Sequence, residues 1–228
     1  MELITFQAEV LSKKNLTEDV ILISFHRPAN FIFKAGQFVT LKIKKGENTK
    51  MRSYSILSPP SQKESINLCV KIIQDGFASE VFSKLNSGDS LEIKGPFGHF
   101  LFDSETENEH WFIGAGTGIT PLYSMIKEYL PGSSRCFKLI FGTKTQKDLL
   151  FYSELSNLAK KYPNFQYLPV LSREKWKGAL GHVQDNLGSD LKNKTFYICG
   201  LKELVLETKE LLMSKGVDPK NIKSERYS

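Results

Sequence analysis

Cysteine is scarce in this 228-residue chain, and its three copies, Cys69, Cys136 and Cys199, stand far apart. No CxxC knuckle or iron-sulfur run can be drawn from them, so the sequence predicts reduced thiols and no metal centre. Long apolar runs are missing too: nothing approaches the roughly 20 residues that cross a bilayer as a helix. The opening Met1-Glu2-Leu3-Ile4 lacks the basic and apolar regions of a signal peptide, so a cytoplasmic protein is expected. Internal repeats, low-complexity tracts and recognisable nucleic-acid motifs are absent as well.

What is present is the composition of a folded protein. Hydrophobic residues make up 40% and charged residues 25%, a balance that argues against disorder. The length allows two modest cores. A net charge of +6 permits nucleic acid but equally suits an acidic protein partner, which is favoured in the absence of a nucleic-acid motif.

The first hundred residues predict six short strands, at 5–11, 20–25, 38–43, 52–56, 66–73 and 90–93, rich in β-branched and aromatic residues and separated by turns. Six such strands suggest a small antiparallel barrel. Alternation in 39–44 places Val39, Leu41 and Ile43 on one face and lysines on the other. Arg52 and Tyr54 share a face of the fourth strand. A guanidinium can fork onto a diphosphate and a tyrosine can lie against a ring system, although any exposed strand can carry this pair. Gly76-Phe77-Ala78-Ser79 opens a predicted helix to about residue 85, a second helix start suited to phosphate. An acidic stretch ending at Glu109 then marks a boundary. The expected division is a barrel over 1–103, a linker over 104–109 and a second domain over 110–228.

The second domain opens on Trp111-Phe112-Ile113-Gly114-Ala115-Gly116-Thr117-Gly118-Ile119-Thr120-Pro121. The apolar run predicts a buried strand, the glycines a tight turn, and Thr120 and Pro121 the cap and first residue of a helix. Such a junction aims unpaired amides at one point and can take a phosphate or serve only as a turn. Helices and strands then alternate: helix 120–129, strand 136–141, helix 152–161, strands 165–171 and 195–199, helix 201–214 and a short strand near 221–224. Five parallel strands follow from that rhythm, with ligands at their carboxyl ends. Where an NAD site carries an acid after its second strand, Gly142-Thr143-Lys144-Thr145 offers none. Lys144, Ser172 and Arg173 instead fit a 2′-phosphate. Cys199-Gly200 ends the fourth strand, where packing is the default role for a cysteine. Glu225 and Tyr227 fall at the extreme end, which predicts a frayed tail.

In order, Arg52-x-Tyr54-Ser55, Gly76-x-x-Ser79, Gly114-x-Gly116-Thr117-Gly118-Ile119-x-Pro121, Ser172-Arg173, Cys199-Gly200 and Glu225-x-Tyr227 resemble the motifs of the ferredoxin-NADP reductase superfamily over essentially the whole chain. The resemblance implies a six-stranded FAD barrel and a five-stranded NADP domain, with the two rings meeting between them. It implies that Arg52 neutralises the FAD diphosphate, Tyr54 lies beside the flavin, Ser55 bonds the N5 edge, and Gly76, Phe77, Ala78 and Ser79 hold the diphosphate from the other side. Gly114, Gly116, Thr117, Gly118 and Pro121 would take NADP, with Lys144, Ser172 and Arg173 on its phosphate and Gly200 beside it. Thr117 and Cys199 would flank nicotinamide C4, Glu225 would relay a proton, and Tyr227 would cover the flavin, with Ser228 extending past it.

The activity implied is electron transfer between NADPH and ferredoxin or flavodoxin, acidic carriers for which Lys42, Lys44, Lys45 and Lys50 are candidate docking charges. The alternatives are a reductase serving an oxygenase or reducing free flavin, and a non-catalytic flavin-binding subunit. With no set of cluster-binding cysteines, a fused iron-sulfur module is not expected.

Overall fold

A computed structural model of the chain describes residues 2–227; Ser228, placed by the sequence beyond the terminal aromatic, lies outside the described residues, as does Met1. The chain forms two units, Met1–Leu101 with Tyr123–Glu128, and Phe102–Leu122 with Tyr129–Ser228.

Period-two alternation builds the first unit. Its antiparallel strands β1 (Ile4–Asn15), β2 (Val20–His26), β3 (Phe38–Lys45), β4 (Asn48–Ser55), β5 (Ser65–Lys71) and β6 (Ser90–Phe97) lie in the order β4-β3-β6-β1-β2-β5. Val39, Leu41 and Ile43 of β3 are fully buried, as the alternation predicts, and each contributes about 1.5–3 kcal/mol by leaving water. Register shifts between Val10 and Ser12 and between Phe38 and Thr40 add the local twist that lets the sheet curl. Its end strands meet where Ile56, just past β4, bridges Leu68 of β5. The Leu57 amide donates to the Asn67 carbonyl there at 2.8 Å. Helix α1 (Phe77–Lys84) connects β5 to β6 and buries Phe82 in the barrel core.

Buried apolar runs build the second unit. Strands β7 (Glu109–Ala115), β8 (Phe137–Thr143), β9 (Phe165–Leu171), β10 (Ala179–Leu180), β11 (Lys194–Leu201) and β12 (Ile222–Tyr227) form a parallel sheet in the order β10-β9-β8-β7-β11-β12. Five of these were expected. The sixth, β10, is two residues pairing with Val170 and Leu171, too short to leave a pattern in sequence. Helices α2 (Ile119–Tyr129), α3 (Tyr152–Lys161) and α4 (Lys202–Ser214) complete the unit's elements, with residues 123–128 of α2 grouping with the first unit. Because β7 lies between β8 and β11, the strand order reverses at its carboxyl end, the position where open parallel sheets bind ligands.

Phe102 and Asp103, which end the expected first domain, group with the second unit. Phe102 stacks on Tyr129 at 4.2 Å and on Tyr197 at 5.6 Å between ring centroids. The Asp103 amide donates to the Tyr197 hydroxyl at 3.1 Å, and its carboxylate pairs with Lys223 at 3.2 Å. His110 lies buried in the same aromatic cluster, with Nδ1 3.3 Å from the Tyr197 hydroxyl. Burial pulls its imidazole down to about 4, so it is neutral at physiological pH.

Candidate functional site

At the end of β7 the turn is shaped by what a side chain would strike. A Cβ on Gly118 would lie 2.3 Å from the Cys199 carbonyl oxygen, and one on Gly114 2.8 Å from a Leu122 methyl. Gly116 needs glycine for a different reason, a φ of +54° with open space around it. The turn therefore packs backbone against backbone on the end of β11, with Gly118 against Cys199 and Gly200. The helix starts earlier than the sequence predicts. A 3-10 turn over Gly116–Gly118 runs straight into Ile119, so Thr120 does not cap it. Its hydroxyl donates back to the Thr117 carbonyl at 2.7 Å, and Pro121 is buried in the first turn. The first amides of such a start have no intrahelical acceptor, and with bare glycine beside them they fit a phosphate.

Glu225 and Tyr227 lie in a strand. Instead of a tail, β12 runs parallel to β11 with Cys199 opposite Glu225 and Leu201 opposite Tyr227. Backbone pairing overrides the usual fraying of an end. The Cys199 thiol is fully buried, and burial pushes it well above its ordinary range; the Glu225 carboxylate adds to that, while hydrogen bonds with the Tyr227 side chain and the Gly200 backbone oppose it. Cys199 thus stays a neutral thiol at physiological pH and not a nucleophile.

At the ends of β8 and β9, two backbone bonds hold the basic residues together. The Arg173 amide donates to the Lys144 carbonyl at 2.9 Å, and the Ser172 amide to the Thr143 carbonyl at 3.0 Å. Lys144, Ser172 and Arg173 are all exposed, and the neighbouring Glu174 carboxylate is taken up by the Gln146 amide at 2.7 Å. The Ser172 hydroxyl already donates to the Thr143 carbonyl at 3.3 Å, which leaves its oxygen as an acceptor until it rotates.

In the barrel, Lys50, Arg52 and Tyr54 of β4 lie opposite Ile43, Leu41 and Val39 and so share the face that meets α1. Tyr54 sets its ring edge-on to Phe82 at 5.4 Å; its hydroxyl is pushed up to about 12 by burial, against a smaller opposing effect of Arg52. Ser55 is buried on the other face of the strand. Gly76 caps α1, where a Cβ would come within 2.9 Å of both the Ile73 carbonyl and Ser79 Oγ. Ser79 Oγ accepts the Ile73 amide at 2.9 Å, so it braces the turn leading into the helix. Half-buried Gly76, Phe77 and Ala78 form the helix start itself, whose unpaired amides suit a diphosphate.

The four lysines expected to cluster near Arg52 are divided by the pleat. Lys42 and Lys44 point from the opposite face, and Lys42 pairs with Glu92 at 3.2 Å. Lys45 pairs with Glu80 at 2.6 Å, and Lys50 sits 4.7 Å above the Phe77 ring. Alternation along both strands carries this information. The Lys50–Phe77 contact was missed because the two residues lie far apart in sequence.

Known proteins agree with this arrangement. Residues 7–102 match the oxidoreductase FAD-binding domain and residues 112–210 the oxidoreductase NAD-binding domain. The chain is 32% identical over 97% of its length to "Ferredoxin--NADP reductase B" of Sorangium cellulosum, and covers 97% of that protein. It is 28% identical over 88% of its length to a glycine betaine monooxygenase reductase subunit of Chromohalobacter salexigens, of which it spans 58%. A ferredoxin NADP+ reductase from Neisseria gonorrhoeae, solved with bound FAD and NADP, shares the fold at a TM-score of 0.87 and 24% identity, over 97% of this chain and 98% of that one. The chain therefore belongs to the ferredoxin-NADP reductase superfamily of FAD- and NAD(P)H-dependent oxidoreductases.

Proposed function

We propose that this chain moves electrons between NADPH and ferredoxin or flavodoxin, with FAD held by the barrel unit and NADP by the sheet unit. The observation that carries the choice of NADPH is the corner of Lys144, Ser172 and Arg173, two cations and a hydroxyl held by the ends of adjacent strands. That set matches a phosphate monoester, whereas a free ribose hydroxyl pair calls for an acid. The acidic carrier is supported by the net charge of +6 and by the ferredoxin reductase relative matched over nearly its full length.

Flavin supplies the chemistry, accepting a hydride and releasing electrons one at a time. The residues supply position. Arg52 and the start of α1 would hold the diphosphate of FAD, Tyr54 would lie beside its ring system and Ser55 would bond its N5 edge. The glycine turn and Pro121 seat the dinucleotide, while Thr117 and the neutral Cys199 thiol border the nicotinamide without offering a competing nucleophile. Glu225 would relay a proton at the strand end, and Tyr227 would supply the aromatic ring that covers flavin.

The second reading, reductase for an oxygenase, is favoured by the resemblance to the betaine monooxygenase subunit. Turnover with NADPH and ferredoxin, flavodoxin or free flavin, each across a salt series, separates the two. Rapid, salt-sensitive reduction of ferredoxin or flavodoxin is expected, since added ions screen attraction to an acidic carrier. Reduction of free flavin alone, or rates indifferent to salt, would overturn the carrier assignment.

A further inference from the structure

Lys50, Arg52 and Tyr54 stand in line on one face of β4, about 6–7 Å apart from one to the next. Their contacts with α1 give the line a direction. At one end Tyr54 meets Phe82; at the other, the Lys50 ammonium lies 4.7 Å above the ring of Phe77, the first residue of the helix. Lys50, not Tyr54, is therefore the residue nearest the helix start, with Arg52 between them.

We propose that Lys50 and Phe77 form the subsite for the adenylate half of FAD and thereby select FAD over FMN. The inference rests on the placement of flavin along this face of β4. A diphosphate carries two negative charges side by side, and Arg52 matches one of them. A helix start supplies only about half a charge. Lys50, on an exposed and flexible stem, supplies the remaining cation at the adenosine end. Its position above Phe77 shows that this half-buried ring turns a face toward incoming groups, and the same face suits a purine once the ammonium moves onto phosphate. FMN ends in a single phosphate of similar total charge, which Arg52 and the helix start would hold, and it has no adenosine to reach Lys50 and Phe77.

The test is titration of the flavin-free full-length protein with FAD and with FMN, followed by flavin fluorescence. Lys50→Met is expected to weaken FAD about tenfold or more and FMN less than about twofold, with Lys50→Arg restoring FAD. Phe77→Leu, which keeps apolar bulk in place, is expected to weaken FAD alone. Unchanged FAD affinity in Lys50→Met, or an equal loss for both flavins, would overturn the Lys50 assignment; unchanged FAD affinity in Phe77→Leu would remove the purine platform. Arg52→Met serves as the reference and is expected to weaken both flavins. If it weakens neither, flavin does not lie on this face and the wider reading fails, an outcome distinct from failure of the Lys50 subsite alone.

Discussion

The two units solve one problem, holding a nucleotide diphosphate, by different means. In the barrel unit the proposed means are side chains: Arg52 and Lys50 share one face of β4, with the Lys50 ammonium over the first ring of α1. In the sheet unit they are mostly backbone, with Gly114 and Gly118 bare because Leu122 and the Cys199 carbonyl occupy the space a side chain would need. A site made of charges loses affinity by degrees when one is removed. A site made of close approach fails at once when an atom is added, because a packed interior has nowhere to put it.

That contrast is sharpest at Gly118. Gly118→Ala is expected to reduce NADPH-dependent flavin reduction by more than about a hundredfold, since 2.3 Å to a backbone oxygen cannot be relieved by a rotamer change. FAD content should stay normal. Gly116→Ala meets nothing within 4 Å and is expected to cost only the strain of its positive φ, about 1 kcal/mol, read as a small fall in melting temperature. Equal damage from both would dissolve the distinction between close approach and conformational freedom.

The basic corner of the sheet unit is the exception that behaves like the barrel, being made of side chains. Replacing both Ser172 and Arg173 with alanine is expected to lower the kcat/KM preference for NADPH over NADH by about 30- to 100-fold, with NADH kinetics little changed. An unaltered ratio would put the phosphate elsewhere.

Acid should act on the sheet unit before the barrel. His110 is held neutral with its folded pKa near 4, so the unfolded chain binds its proton first and stability falls as pH drops from 6.5 toward 4. Between pH 7 and pH 5 the loss is about 2 kcal/mol, and His110→Gln should remove most of that slope in thermal melts of the two proteins. A smaller effect is expected at Gly76, where the atoms facing a new Cβ include the movable Ser79 hydroxyl. Gly76→Ala should weaken FAD about tenfold by titration and leave NADPH binding alone.

The same contrast explains what could be read without coordinates. Motif order, the alternation in β3 and the glycine turn were legible because each is a local pattern with a local cause. The frayed tail expected at Glu225 and Tyr227 does not occur, because their order comes from pairing with β11, a contact with no trace in neighbouring residues. Thr120 resembled a cap because threonine often is one, but the preceding 3-10 turn had already begun the helix. The lysines near Arg52 were grouped by sequence distance, and the pleat sends Lys42 and Lys50 to opposite faces. Two-residue β10 is below the length at which any period can be seen.

The central claim is that NADPH held on the sheet unit reduces FAD held on the barrel unit. Rapid anaerobic mixing of the FAD-loaded protein with NADPH and, separately, with NADH tests it most directly. Saturable bleaching of the flavin absorbance, much faster with NADPH than with NADH, is the expected result. A yellow protein whose absorbance stays unchanged in NADPH, or bleaches equally well in NADH, would contradict it.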